Sequence, residues 1–149
     1  MTGDDLLIAA LHLAASRDPV PGHVTGSARD AYRLRVPGAV TARPIPAPPP
    51  IGTRAGTGDC RRLRYAADGL IVDMEVVVGA GAIDMAGRVS PHPGPGGHLE
   101  IRTLHDTHPR PLPDTGQFAA CGLPPGWYSI VCHRDTRPPV ATTWTRLGR

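Results

Sequence analysis

The chain has 149 residues and a formal net charge of +3, and because it contains no lysine, all 16 of its strongly basic residues are arginines. That length suits one ordinary domain with appendages, a core of about 100 residues and not two such cores. With 18 glycines, 18 prolines and only six aromatic residues, the composition argues against a helical bundle and for turns, loops and a thin core.

Helical spacing opens the chain. Leu7, Ala10, Leu11 and Ala14 recur at i, i+3, i+4 and i+7, with Leu6 and Leu13 widening the stripe, which predicts a helix over residues 4–17. Asp4 and Asp5 stand at its positive end, Arg17 at its negative end, and Pro19 stops it. A second helix is expected from near Pro21, with Val24, Ala28, Ala31 and Tyr32 on one face. Gly22 and Gly26 each cost that helix about 1 kcal/mol relative to alanine, so it needs a surface to dock on. The apolar run LLIAALHLAA follows acidic residues, and it is far shorter than the ~20 residues of a membrane span. No membrane partner is expected.

Residues 36–59 read VPGAVTARPIPAPPPIGTRAGTGD, in which ten of 24 are Pro or Gly. Such a stretch reads as a linker, extended and semi-rigid at its Pro-Ala-Pro-Pro-Pro centre. The expected division is therefore a helical pair over residues 1–35, a linker over 36–59 and a β domain over 60–149.

Beyond Cys60 the period changes to two. In GLIVDMEVVVG, Leu70, Val72, Met74, Val76 and Val78 face inward while Asp73 and Glu75 face water. Six further strands fit RRLRYA, MAGRVS, HLEIRTL, QFAAC, WYSIVCH and VATTWTRL, so the fold class is mainly β: a seven-stranded antiparallel β-sandwich with a short N-terminal helical pair. Within DTGQFAACGLPPGWYSIVC, residues 114–132, alternation turns Phe118 and Tyr128 inward and Trp127 outward beside Ser129 and Val131, and Gly126 is expected to supply an unusual backbone angle. Trp144 is expected to point inward.

No stretch carries a catalytic set. His105 and His108, spaced H-x-x-H beside Asp106, are the weak metal candidates, with His92 and His98 in a neighbouring loop. Gly and Pro surround them, so solvated loop histidines are the expectation and no cofactor is predicted. Cys60, Cys121 and Cys132 cannot all pair within one chain, and reduced thiols fit a cytoplasmic protein. Cys132 is placed in the core; Cys121, at the mouth of the hairpin turn, is the better exposed of the two and a candidate reactive thiol, but a buried small residue is the preferred expectation. Arg61, Arg62 and Arg64 are the nearest thing to a basic patch, but a charged edge strand accounts for them without a nucleic-acid partner.

The run from AGRVSP through DTGQF to GLPPGWYSI resembles the carboxypeptidase regulatory-like, or transthyretin-like, β-sandwich, over roughly residues 61 to 147. The resemblance implies that fold and a habit of accessory binding. The pieces DPVPGHVTGSARDAYRLR, RLRYAADGLIVDMEV and TTWTRL are similar to small actinobacterial proteins often encoded beside an RNA polymerase sigma factor, with the proline-rich stretch as the departure from their pattern. That second likeness implies a sigma factor, or its associated machinery, as partner. The expected function is thus a non-enzymatic cytoplasmic regulatory or protein-interaction protein that binds through Leu7, Leu11, Ala14 and Trp127. The rival expectation is a module for carbohydrate or another small molecule, built on Trp127 and the loop from His105 to His108.

Overall fold

The computed structural model describes residues 3–17, 19–48 and 59–148. The cation expected from the Arg17 side chain, and residues 49–58 of the expected linker, lie outside them. The chain divides into two compact units, Met1–Arg35 and Val36–Arg149.

The first unit holds helix α1, Gly3–Arg17, and helix α2, Gly22–Arg33. Asp4 and Asp5 lie in the first turn of α1, where carboxylates meet the positive end of the helix dipole. Pro21 precedes α2 with its carbonyl accepting from the Val24 and Thr25 amides at 2.9 and 3.2 Å, a backbone start with no side-chain cap. The Arg35 guanidinium lies 5.3 Å from the centre of the Tyr32 ring, a cation–π contact beyond the helix end.

Among its described residues the second unit holds ten strands: β1 Val40–Pro44, β2 Asp59–Ala67, β3 Leu70–Val78, β4 Ile83–Ser90, β5 His98–Arg102, β6 Thr107–Pro111, β7 Gln117–Leu123, β8 Gly126–His133, β9 Val140–Thr142 and β10 Thr145–Leu147. They form one sheet in the order β6-β5-β8-β9-β1-β2-β3-β4-β7, with β10 also paired to β8. The expected seven-stranded antiparallel sandwich is corrected in three places. VATTWTRL breaks into β9 and β10. THPRP forms β6, which among the described residues is an edge strand paired to β5 alone, and Pro109 and Pro111 are tolerated where an edge leaves one side of the backbone unpaired. VTARP, placed in the linker, forms β1, which runs parallel to β9 from Val40↔Val140 and antiparallel to β2 at Arg43↔Ala66. The sheet is therefore mixed, and β1 joins its two halves.

Alternation sets the core. Leu70, Val72, Met74 and Val76 of β3 are buried between their outward neighbours, and they share one cluster with Leu99, Ile101, Ile130 and Cys132 from the other half of the sheet. Phe118 and Tyr128 are both buried, as the hairpin pattern predicts, and the Tyr128 hydroxyl donates to the Pro124 carbonyl. Phe118 faces Gly87 across the β4·β7 pair, where a Cβ would stand 2.6 Å from both the Phe118 ring and the Asp73 carbonyl oxygen. The missing side chain makes room for the ring.

The angle expected of Gly126 belongs elsewhere. Gly126 does not have a positive φ, whereas Gly116 of the DTGQF turn does, at 71°. Gly116 donates its amide to the Pro113 carbonyl and accepts from the Val89 amide, so its position is fixed from both sides.

A polar clamp crosses the unit. Asp68, in the β2–β3 turn, accepts from Arg134 at 2.8 Å and from Arg137 at 3.0 Å. Only 4% of the Arg134 side chain is exposed, and its guanidinium also donates to the Pro138 carbonyl. A buried guanidinium whose nitrogens donate to the Asp68 carboxylate and to the Asp68 and Pro138 carbonyl oxygens is an arrangement that makes such burial tolerable.

Candidate functional site

The residues expected to bind a partner are at the surface. Leu7 is 60% exposed and Leu11 59%, Ala14 is exposed as well, and Leu6, Ile8 and Leu13 are all more than half exposed. At about 100° per residue these positions cover roughly two-thirds of the circumference of α1, leaving Asp5, His12 and Ser16 on the remaining arc. The stripe, already widened by Leu6 and Leu13 in the sequence pattern, is extended by Ile8 into a broad apolar surface, with Asp4 within its arc at the first turn. On α2, Val24 and Tyr32 are exposed too, and no residue of that helix is buried.

Trp127 is 44% exposed, standing opposite Arg146 of β10. The outward row that it was expected to share is different from its own surroundings, because Ser129 and Val131 are buried. Strand β8 has β5 on one edge and β9 with β10 on the other. Thr142, the last residue of β9, bonds to this strand, with its carbonyl accepting from the Ser129 hydroxyl and its own hydroxyl accepting from the Ile130 amide, both at 2.9 Å. Trp144 is half-buried between β9 and β10 and does not reach the full burial expected of it.

The H-x-x-H pair is not assembled. His105 lies exposed in the bend after β5, where the Thr103 hydroxyl accepts from the His105 and Asp106 amides, and His108 stands in β6 opposite Ile101. Among the described residues, the three-membered group with ligand atoms in mutual reach is His98, Glu100 and His133, all within 4.8 Å of one another. His98 begins β5 and is not a loop residue. It pairs directly with His133, the last residue of β8, and Glu100 lies two residues on, which alternation returns to the same face. The two imidazoles stack with centroids 4.4 Å apart and planes at 8°. His133 Nε2 lies 3.2 Å from Glu100 Oε1. The H-x-E spacing of β5 was the sequence signal for this group, but its third member comes from another strand.

The arginines of β2 face a ladder of charge. Arg62 donates both arms of its fork to Asp73, at 3.1 and 3.0 Å, and Arg64 Nε lies 3.8 Å from the same carboxylate. Asp73, chiefly through its hydrogen bond, holds the Arg62 guanidinium above its ordinary value. Arg88 stands on the far side of Asp73, and these side chains line a groove of about 480 Å³ that also takes in Glu75, Ala86 and Gln117. Among the described residues strand β2 is an edge in its first part, as expected for Arg61 and Arg62: β3 pairs its whole length, whereas β1 pairs it only at Tyr65 and Ala66, with the Ile45 amide reaching the Arg64 carbonyl.

The three cysteines are free: Cys60 and Cys121 are exposed, and Cys132 is buried. The burial expected of Cys121 is thus corrected, since it sits on the outward row of β7. Desolvation pushes the Cys132 thiol up to about 11, so it is inert as a nucleophile at neutral pH.

Comparison with protein-family models, with curated proteins and with solved structures finds no match to this chain. No helix among the described residues is long and apolar enough to cross a membrane.

Proposed function

We infer that the chain is a non-enzymatic interaction protein whose helical unit docks on a protein partner. The observation that carries this reading is the exposure of Leu6, Leu7, Ile8, Leu11 and Leu13 on a single 15-residue helix. A helix of that length is marginal in water on its own, and an apolar surface this broad is stabilised when another surface covers it. A partner groove that receives Leu7, Leu11 and Ala14 at i, i+4 and i+7 fits the chemistry. A sigma factor or its associated machinery is the first partner to test, on the sequence resemblance alone, and a cytoplasmic regulator with three free thiols is the setting it implies.

The test is co-purification from the host with wild type beside a double variant, Leu7→Asp and Leu11→Asp. A stoichiometric partner, identified by mass spectrometry and lost from the double variant, supports the reading. Recovery of wild type alone, a partner that the variant retains, or self-association through α1 overturns it. The exposure of Trp127 favours one rival, a sugar ring stacked on the indole. A thermal shift with sugars that disappears in Trp127→Ala would establish that rival instead.

A further inference from the structure

We propose that His98, Glu100 and His133 form a binding site for a divalent transition-metal cation of the zinc class, independent of the helical unit. Two imidazole nitrogens and one carboxylate oxygen make a donor set that suits zinc, which imposes little geometric preference of its own and in open sites takes three protein ligands with the fourth position left to water or substrate. The backbone presents all three from one face of a paired β5·β8 ladder, while Leu99 and Cys132 fill the other face and are fully buried. The ligands therefore stand on strands held by the core and not on a loop.

Two details point to a cation in particular. His133 Nε2 is out of contact with water yet makes no aligned hydrogen bond, although the Glu100 carboxylate is close by. A buried ring nitrogen left in that state is costly, and a cation placed between it and the carboxylate satisfies both. On the other ring, His98 Nδ1 lies 3.4 Å from the Gly96 carbonyl oxygen, an acceptor. The tautomer that donates there carries its lone pair on Nε2, and such a backbone partner is the usual way to orient a ligating histidine. Metal–nitrogen bonds of about 2.0–2.1 Å require the ligand atoms to draw closer than 4.8 Å. Rotation of the exposed His98 ring out of its parallel stack supplies that movement.

The experiment is a titration of the full, chelator-stripped protein with Zn²⁺ by competition against a chromophoric chelator, with Co²⁺ absorption as a second readout. One cation per chain is expected, with a tetrahedral Co²⁺ spectrum. His98→Ala and Glu100→Gln should each weaken binding by about tenfold or more, whereas His105→Ala with His108→Ala should leave it unchanged. Zn²⁺ should also raise the melting temperature of wild type but not of His98→Ala, since a ligand that binds only the folded state stabilises it. Glu100→Gln keeps the shape of the side chain and guards against misreading a folding defect. Equal Zn²⁺ affinity in wild type and His98→Ala, or no binding at all, overturns the proposal.

Discussion

Two aromatic side chains one strand apart do opposite work. Phe118 lies in the core against Gly87, and Trp127 stands in the solvent. Phe118→Ala would leave a void that the Gly87 backbone cannot fill, so it should cost about 3–5 kcal/mol, most of the stability of a domain with so few aromatic rings. Trp127→Ala should cost less than about 1 kcal/mol. Urea denaturation of the two variants checks the order, and a larger loss at Trp127 would mean that β8 faces the other way. Alternation alone was enough to place both rings. It misplaced Ser129 and Val131, both buried, because a period of two says which side of a strand a residue is on but not whether that side is covered in the assembled sheet.

At the scale of the element, what was legible followed from local pattern. GLIVDMEVVVG announces β3 residue by residue, and the helical spacing of the N-terminal segment gives α1 within a residue of its observed start. VTARP and THPRP carry prolines and too few apolar positions to show a period, so β1 and β6 are defined by the strands they pair with. The candidate metal group failed for the same reason: its face is readable in HLE, but its register against His133 is a property of the assembled sheet. The turn before β7 illustrates the limit. Gly126 looked like the strained residue, whereas Gly116 has φ 71°, and a Cβ there would stand 2.3 Å from the Val89 carbonyl oxygen. Gly116→Ala should therefore cost more than about 2 kcal/mol, from both the left-handed backbone and the clash, while Gly126→Ala stays within about 0.5 kcal/mol. The shift in denaturation midpoint of each variant measures this difference.

For the whole molecule, the Asp68 clamp links stability to pH. The Arg134 hydrogen bond, with Arg137 adding to it against the opposing effect of desolvation, holds the Asp68 carboxyl below the usual carboxylate range. A folded value below the unfolded one, about 3.9, means that the contribution is fully present above that pH and is lost as pH falls through the folded value. Wild type should exceed Asp68→Asn in stability by a constant margin between about pH 5 and 7, and the margin should shrink toward zero in stronger acid. Chemical denaturation across that range tests it, and a margin that persists in acid would count against the clamp. The strand that joins the halves of the sheet carries a consequence of another kind, in time. Val40 of β1 pairs with Val140 of β9, a hundred positions later. At about 5–20 residues per second, a ribosome needs roughly 5 to 20 s to cover that distance. Throughout that interval the nascent chain holds β1 with its parallel edge unmet, open to any other strand that arrives first. The rate of translation between those two valines therefore sets how long the newborn protein is exposed to mispairing.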